Sequence, residues 1–314
     1  MPPRPALAAV VSALAGVGCL TPSAGIVGPR SPLTYVDALG CPVRGLSALA
    51  LHPSGRLVSV GERRHDLTWH GTDTLAFERA TPLEGVDDAL DLESLCFLDA
   101  RRFYVGTERH APRTEDVILV GELDGARARV VGRIPVDYAA LGIEVQENHG
   151  IEGLACGPWG LALAIETPTG AGADRRSPLV RLSPTGAPLA VEQVRLTTPT
   201  GKISELLALT TTAGVELFAI ERHFGVARVL RFPMTPPRAG AVHEPRVELD
   251  LAAAFVADGQ TMANLEGLAI VPPTVDGERI VFADDDNRGP PSPVHAVRYR
   301  PSAQVRLPLS GASK

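Results

Sequence analysis

Aromatic side chains are scarce in this chain: they make up 4% of 314 residues, although 45% are apolar. A core must therefore be filled by Leu, Val, Ile and Ala, of which there are enough. Lysine is nearly absent, at Lys202 and Lys314 only. No run of basic residues occurs and the net charge is −6, which argues against a nucleic-acid partner. No segment is long and apolar enough to span a membrane. Several catalytic signatures are missing as well. "GLSAL" lacks the second Gly of a serine-hydrolase elbow, and "PTGKIS" lacks the first Gly of a phosphate-binding loop. There is no H-E-x-x-H and no dinucleotide fingerprint. Cysteine occurs at Cys19, Cys41, Cys96 and Cys156, with no metal-site spacing. Cys96 and Cys156 sit in apolar runs and read as buried thiols.

The N-terminus reads as a leader. Arg4 is followed by an apolar stretch from Pro5 to Gly18, the length of a signal-peptide core. Gly16, Val17 and Gly18 then precede Cys19, as small residues do at a lipoprotein cleavage site, although Leu is usual where Gly16 stands. Residues 1–24 are thus expected to be an ordinary signal peptide or a lipoprotein signal with Cys19 as the lipidated residue. Either predicts export, to the periplasm, to a lipid-anchored state or to the medium.

From residue 33 to 308 one pattern recurs. Five segments superimpose, beginning at Leu46, Leu92, Ile151, Ile203 and Leu265. Each starts with Leu or Ile, then Glu or Ser; an apolar run, a turn and a second apolar run ending on an acid follow. This is a repeated hairpin. Further strand-like pieces such as "DVILVGEL" and "ARVVGRIPV" lie between the copies, giving four strands per unit. That is the content of a β-propeller blade. The expected fold is all-β, a propeller with five motif-bearing blades and room for a sixth without the motif. "LTYVDAL", "VHAVRYR" and "AQVRLPL" are the segments expected to close the ring.

In a propeller the start of the first strand and the end of the second lie on one face. The repeat therefore gathers Glu93, Glu152 and Glu266 from first strands, with Ser47 and Ser204 in the other copies. Glu62, Glu108, Glu166, Glu221 and Asp284 come from second strands. So many like charges need a balance. Arg63, Arg109, Arg222 and Lys202 are candidates, and so is Ca²⁺, which takes several oxygen ligands. The other reading of each Glu is structural: it binds backbone N–H groups or an Arg of the next blade. "ADDDNRG" contributes Asp285, Asn287 and Arg288 to the same mouth; His295 in the twelfth position excludes an EF-hand. His149, three residues before Glu152, is a candidate acid or base, or a plain surface His.

The order of "LDLESLCFLDARRFYVGTE", "NHGIEGLACGPWGLALAIETP", "SPLVRLSPTG", "KISELLAL…LFAIERHFG" and "NLEGLAIVPP…RIVFADDDN" resembles the phytase-like family, esterase-like activity of phytase. The resemblance implies a secreted propeller with phosphoesterase or esterase activity at an acidic, Ca²⁺-binding cleft. On that reading Glu93, Glu108, Glu152, Glu166, Glu221, Glu266 and Asp284 hold metal, and Arg109, Arg222, Lys202 and His149 act on the substrate. Phosphate binding would fall to Arg109, Arg222 and Arg288, because Lys202 is the sole lysine near the mouth. The alternative is a non-catalytic propeller of the cell envelope that binds a ligand or partner there.

Overall fold

A computed structural model describes residues 45–62, 64–73, 75–108, 115–146, 149–211, 214–252, 264–274, 277–284 and 294–299. The leader with Cys19, and Arg63, Arg109, Asp285, Asn287 and Arg288, lie outside the described residues, as do "LTYVDAL" and "AQVRLPL".

The described residues form five blades in four hydrogen-bonded sheets, because the outermost strands of the first two blades pair in parallel at Leu83–Ala128 and Glu84–Arg129 and join them into one eight-stranded sheet. Blade 1 comprises β1 (Leu46–Leu51), β2 (Leu57–Gly61), β3 (Asp66–His70) and β4 (Phe77–Glu84). Blade 2 comprises β5 (Asp91–Phe97), β6 (Arg102–Glu108), β7 (Glu115–Asp124) and β8 (Arg127–Asp137). In blade 3, β9 (Ile151–Gly157), β10 (Gly160–Ile165), β11 (Arg176–Leu182) and β12 (Pro188–Arg195) are joined by β16 (Val242–His243), parallel to β12. Blade 4 holds β13 (Lys202–Thr211), β14 (Gly214–His223), β15 (Val226–Pro233) and β17 (Arg246–Asp250). Blade 5 holds β18 (Leu265–Thr274), β19 (Gly277–Asp284) and β20 (Val294–Tyr299), the last being the expected "VHAVRYR" segment.

Position in the blade decides the burial pattern. The inner strand β1 and its neighbour β2 are buried along almost their whole length, because each is covered on both faces by adjacent blades. The outer strand β8 alternates instead, one face packed and one wet. The apolar residues form clusters that coincide with blade interfaces, for instance Leu92, Leu95 and Phe103 with Val58 and Val60 between blades 1 and 2. Phe218, Ile220 and Val229 meet Leu268 and Ile270 between blades 4 and 5. Leu46, Leu49 and Leu57 meet Ala269, Val271 and Ala283, so blade 5 packs directly on blade 1 and closes the ring at five blades. Leu, Val, Ile and Ala dominate these clusters, as the shortage of aromatics requires.

Cys96 in β5 and Cys156 in β9 are joined by a disulfide, with Cα atoms 6.0 Å apart. The expectation of buried thiols is thereby corrected. The two residues lie on inner strands of neighbouring blades, a proximity that their separation of 60 residues conceals. Among the described residues no helix is long and apolar enough to cross a membrane.

Candidate functional site

All five inner strands share one irregularity. Near the start of each inner strand its pairing with the second strand skips one residue: Ser47, Glu93, Glu152, Ser204 and Glu266. These are β-bulges, which leave a residue out of the ladder and re-aim its side chain. The bulged positions are the second residues of the sequence repeat. The repeat therefore encodes a ring of re-aimed side chains around the channel, not just a ring of strands.

The same registers give the acids their places. Leu46, Leu92, Ile151, Ile203 and Leu265 pair with Gly61, Thr107, Ile165, Glu221 and Asp284. The next residue of each second strand reaches the mouth: Glu62, Glu108, Glu166 and then Arg222. Glu221 was expected at the mouth, and the structure corrects this. It stands one residue earlier, and a shift of one residue turns a strand side chain to the other face of its sheet. Its carboxylate is fully buried and accepts from Thr198 N at 2.9 Å, Thr198 Oγ1 at 2.7 Å, Thr197 N at 3.1 Å and the Thr197 hydroxyl. It latches the 197–201 loop. Asp284 occupies the equivalent backbone slot in blade 5, one short of the mouth series.

Blade 4 thus brings cations where blades 1 to 3 bring acids. Lys202 pairs with Arg222 across β13 and β14, in the places taken by Asp91 and Glu108 in blade 2. Lys202 Nζ contacts Glu166 Oε1. Arg222 Nη2 lies 2.5 Å from Glu266 Oε1 and 3.6 Å from Glu152 and Glu166 carboxylate oxygens. Its Nη1 donates to Asn264 Oδ1 at 2.5 Å, and Asn264 Nδ2 donates to Glu266 at 2.8 Å. Burial alone would lower the Arg222 pKa; Glu266, Glu152, Glu166 and Glu93 outweigh it and hold the pKa above the ordinary guanidinium value.

On the other side of the mouth Glu62, Asp91 and Glu93 place one carboxylate oxygen each within 4.8 Å of one another. Glu108 is held there by the Gly150 N–H at 2.5 Å. A Cβ on Gly150 would stand 2.3 Å from Asp116 Oδ2, so a larger residue there would have to push that carboxylate aside. Desolvation, followed by repulsion from Glu266, Glu108, Glu62 and Asp91, raises the Glu93 pKa well above the carboxylate range. Desolvation and then Glu166 do the same to Glu152, with Arg222 pulling the other way. Glu266 is raised by burial despite Arg222. The acids are thus mutually destabilised when ionised. The oxygen-only donor set of Glu62, Asp91 and Glu93 suits a hard cation such as Ca²⁺.

Sequence reasoning missed several members. Asp91 precedes the repeat start and carries no signal beyond its charge. Glu205 is fully enclosed in the channel below Ser204; Oε1 accepts from Leu206 N at 2.8 Å. Leu154 and Leu49 amides, from two other blades, also face it without closing a hydrogen bond to Oε2. Burial pushes its carboxyl well up, and these amides only partly offset that. A cavity of about 660 Å³ opens beside Arg222. The expected Lys202, Arg222, Glu166 and His149 line it, and so do Arg175, His223, Phe224 and Asn264.

The described residues thus form a β-propeller with a carboxylate-rich channel mouth beside a cation-lined pocket. The family model for phytase-like proteins, esterase-like activity of phytase, matches residues 41–288, and the chain belongs to that family. The fold is similar to that of the Myxococcus xanthus glutaminyl cyclase, with 17% identity, 88% of this chain and 96% of that one covered, and a TM-score of 0.50. It is also similar to PQQ-bound aldose sugar dehydrogenase from Streptomyces coelicolor, with 12% identity, coverage of 88% and 99%, and a TM-score of 0.46. For regucalcin from Agrobacterium tumefaciens, a calcium-binding protein, the values are 14%, 91% and 98%, and 0.42. At these identities the likeness concerns the fold. No curated protein matches the chain.

Proposed function

We propose that the protein is an exported, Ca²⁺-dependent phosphoesterase or esterase that works at the channel mouth. The observation that carries this reading is the division of the mouth, with Glu62, Asp91 and Glu93 on one side and the pocket of Lys202, Arg222 and Arg175 on the other. The three acids would hold the ion. When bound, it supplies positive charge against the phosphoryl or acyl oxygen. Lys202, Arg222 and Arg175 line the side that takes the anionic group of the ester; Glu166 holds Lys202 and Arg222 in place by ion pairs. His149 lines the same pocket and is assigned the proton transfer to the departing oxygen. In the reaction a water oxygen bonds to phosphorus or the acyl carbon, the ester bond breaks, and the alcohol leaves protonated.

Export is supported by the Cys96–Cys156 disulfide, since such bonds persist in oxidising compartments. Cys19→Ser separates the two leader readings: it moves a lipoprotein from the membrane to the soluble fraction and leaves an ordinarily cleaved protein where it was.

Calcium titration of chelator-treated protein tests the metal. A ligand bound only by the folded state raises stability by about 2.7 kcal/mol at 100 times its Kd. A rise in melting temperature together with turnover of 4-nitrophenyl phosphate or an acyl ester is expected. A rise without turnover of any ester leaves the binding-propeller reading. Absence of any shift on metal-free protein removes the metal site.

A further inference from the structure

Lys202 and Arg222 are already matched by Glu152, Glu166 and Glu266. Arg175 is not. It follows the short 3-10 turn Gly172–Asp174, and its Nε donates to the Gly201 carbonyl at 3.0 Å. No carboxylate among the described residues pairs with it, and it lines the 660 Å³ pocket. The uncompensated positive charge of the pocket is therefore that of one guanidinium, whose fork suits a single phosphoryl group.

The pocket also has an apolar element. β14 and β15 are joined by a tight turn in which His223 pairs with Val226 and Gly225 takes a φ of +80°. The turn lifts Phe224 to the rim, where it is 94% exposed. His223 packs edge-on against the ring, with centroids 5.1 Å apart at 81°, and steadies it. Pro168 adds a second apolar surface to the lining. An aromatic held at the mouth of a charged pocket adds area for a flat apolar group at small entropic cost.

We infer that the pocket selects a phosphomonoester that joins one anionic group to a flat apolar group. Arg175 receives the phosphoryl oxygens and Phe224 covers the apolar part. This rests on the phosphoesterase reading above and narrows it. A polyphosphorylated polyol fits poorly, because it brings several anionic groups to one unmatched guanidinium, beside a ring of acids, and offers nothing for Phe224.

Binding to the full, Ca²⁺-loaded chain is measured by calorimetry with methylphosphonate, phenylphosphonate and myo-inositol hexakisphosphate, the first two being proof against hydrolysis. Phenylphosphonate should bind on the order of tenfold tighter than methylphosphonate. Phe224→Ala should bring that ratio close to unity, and Phe224→Trp should keep it. Arg175→Gln should weaken both phosphonates by roughly tenfold or more. An unchanged ratio in Phe224→Ala, or hexakisphosphate binding tighter than phenylphosphonate, overturns the inference and leaves the phosphoesterase reading in place. Binding of Ca²⁺ with none of the three anions bound removes both.

Discussion

Glu221 and Arg222 are neighbours that do opposite things, because successive residues of a strand face opposite ways. Glu221 gathers two amides and two hydroxyls of Thr197 and Thr198; Arg222 stands among the mouth carboxylates. Their exchange for neutral residues should therefore read differently. Glu221→Gln leaves donors facing an amide nitrogen, and metal-free protein should lose about 3 kcal/mol in urea unfolding. Glu93→Gln mimics the protonated acid that burial and four neighbouring carboxylates already favour. Metal-free stability should hold or rise, while Ca²⁺ binding weakens by roughly tenfold or more, because it removes one charged oxygen ligand. A Glu221→Gln protein as stable as the parent would show that the latch contributes nothing. The acid-rich ends of the strands are plain in the sequence. Which acid faces the mouth is not, since it turns on a one-residue difference in where the repeat is laid over the strand.

At the scale of elements, the hairpins are legible and the bulges are not. Alternation of apolar run, turn and apolar run marks each strand pair, but a bulge is a property of two strands in register. Its trace in the sequence is the Glu or Ser after each leading Leu or Ile, recognised as part of the motif without its cause. The outer strands of blade 1, β3 and β4, and the fifth strand of blade 3, β16, had no such repeat to announce them. The Cys96–Cys156 bond ties β5 to β9 across a blade interface and closes a loop of 60 residues. Loop-closure entropy puts its contribution at about 4 kcal/mol. Reductant should lower the urea midpoint accordingly, and alkylation of both cysteines should require reduction first. Free alkylation of Cys96 and Cys156 in the unfolded but unreduced chain would refute the bond.

At the scale of the molecule, five packed interfaces share the load, and the last one, between blades 5 and 1, makes the ring complete. A closed ring has no open end from which to unravel, so acid should act on it through buried bases. His70 in β3 is 1% exposed, beside Thr68 and Phe77, and burial pushes its pKa down to about 4. The unfolded chain takes up that proton near pH 6.5, the folded chain only near 4. Stability from this group is therefore present above pH 6.5 and is lost as pH falls towards 4, by about 3 kcal/mol in all. His52, lowered by burial in the same way, adds to the trend. Urea midpoints of the parent and His70→Gln, compared from pH 7 to 4, should converge as pH falls. Parallel curves would show that His70 does not titrate as a buried base.

The sequence alone determined the repeated hairpin, and with it the propeller, because a period of apolar runs and turns is a local property of the chain. It also determined that acids from several blades converge, because the repeat puts them at equivalent places. Only the tertiary structure decided that the ring closes at five blades, since closure depends on whether Leu46 and Leu49 can meet Ala269 and Val271. The same holds for the charge balance. Lys202 and Arg222 sit where other blades carry acids, and Arg175 joins them from a turn outside the repeat. Charges act through distance, and distances between blades are set by packing across interfaces that no stretch of sequence contains.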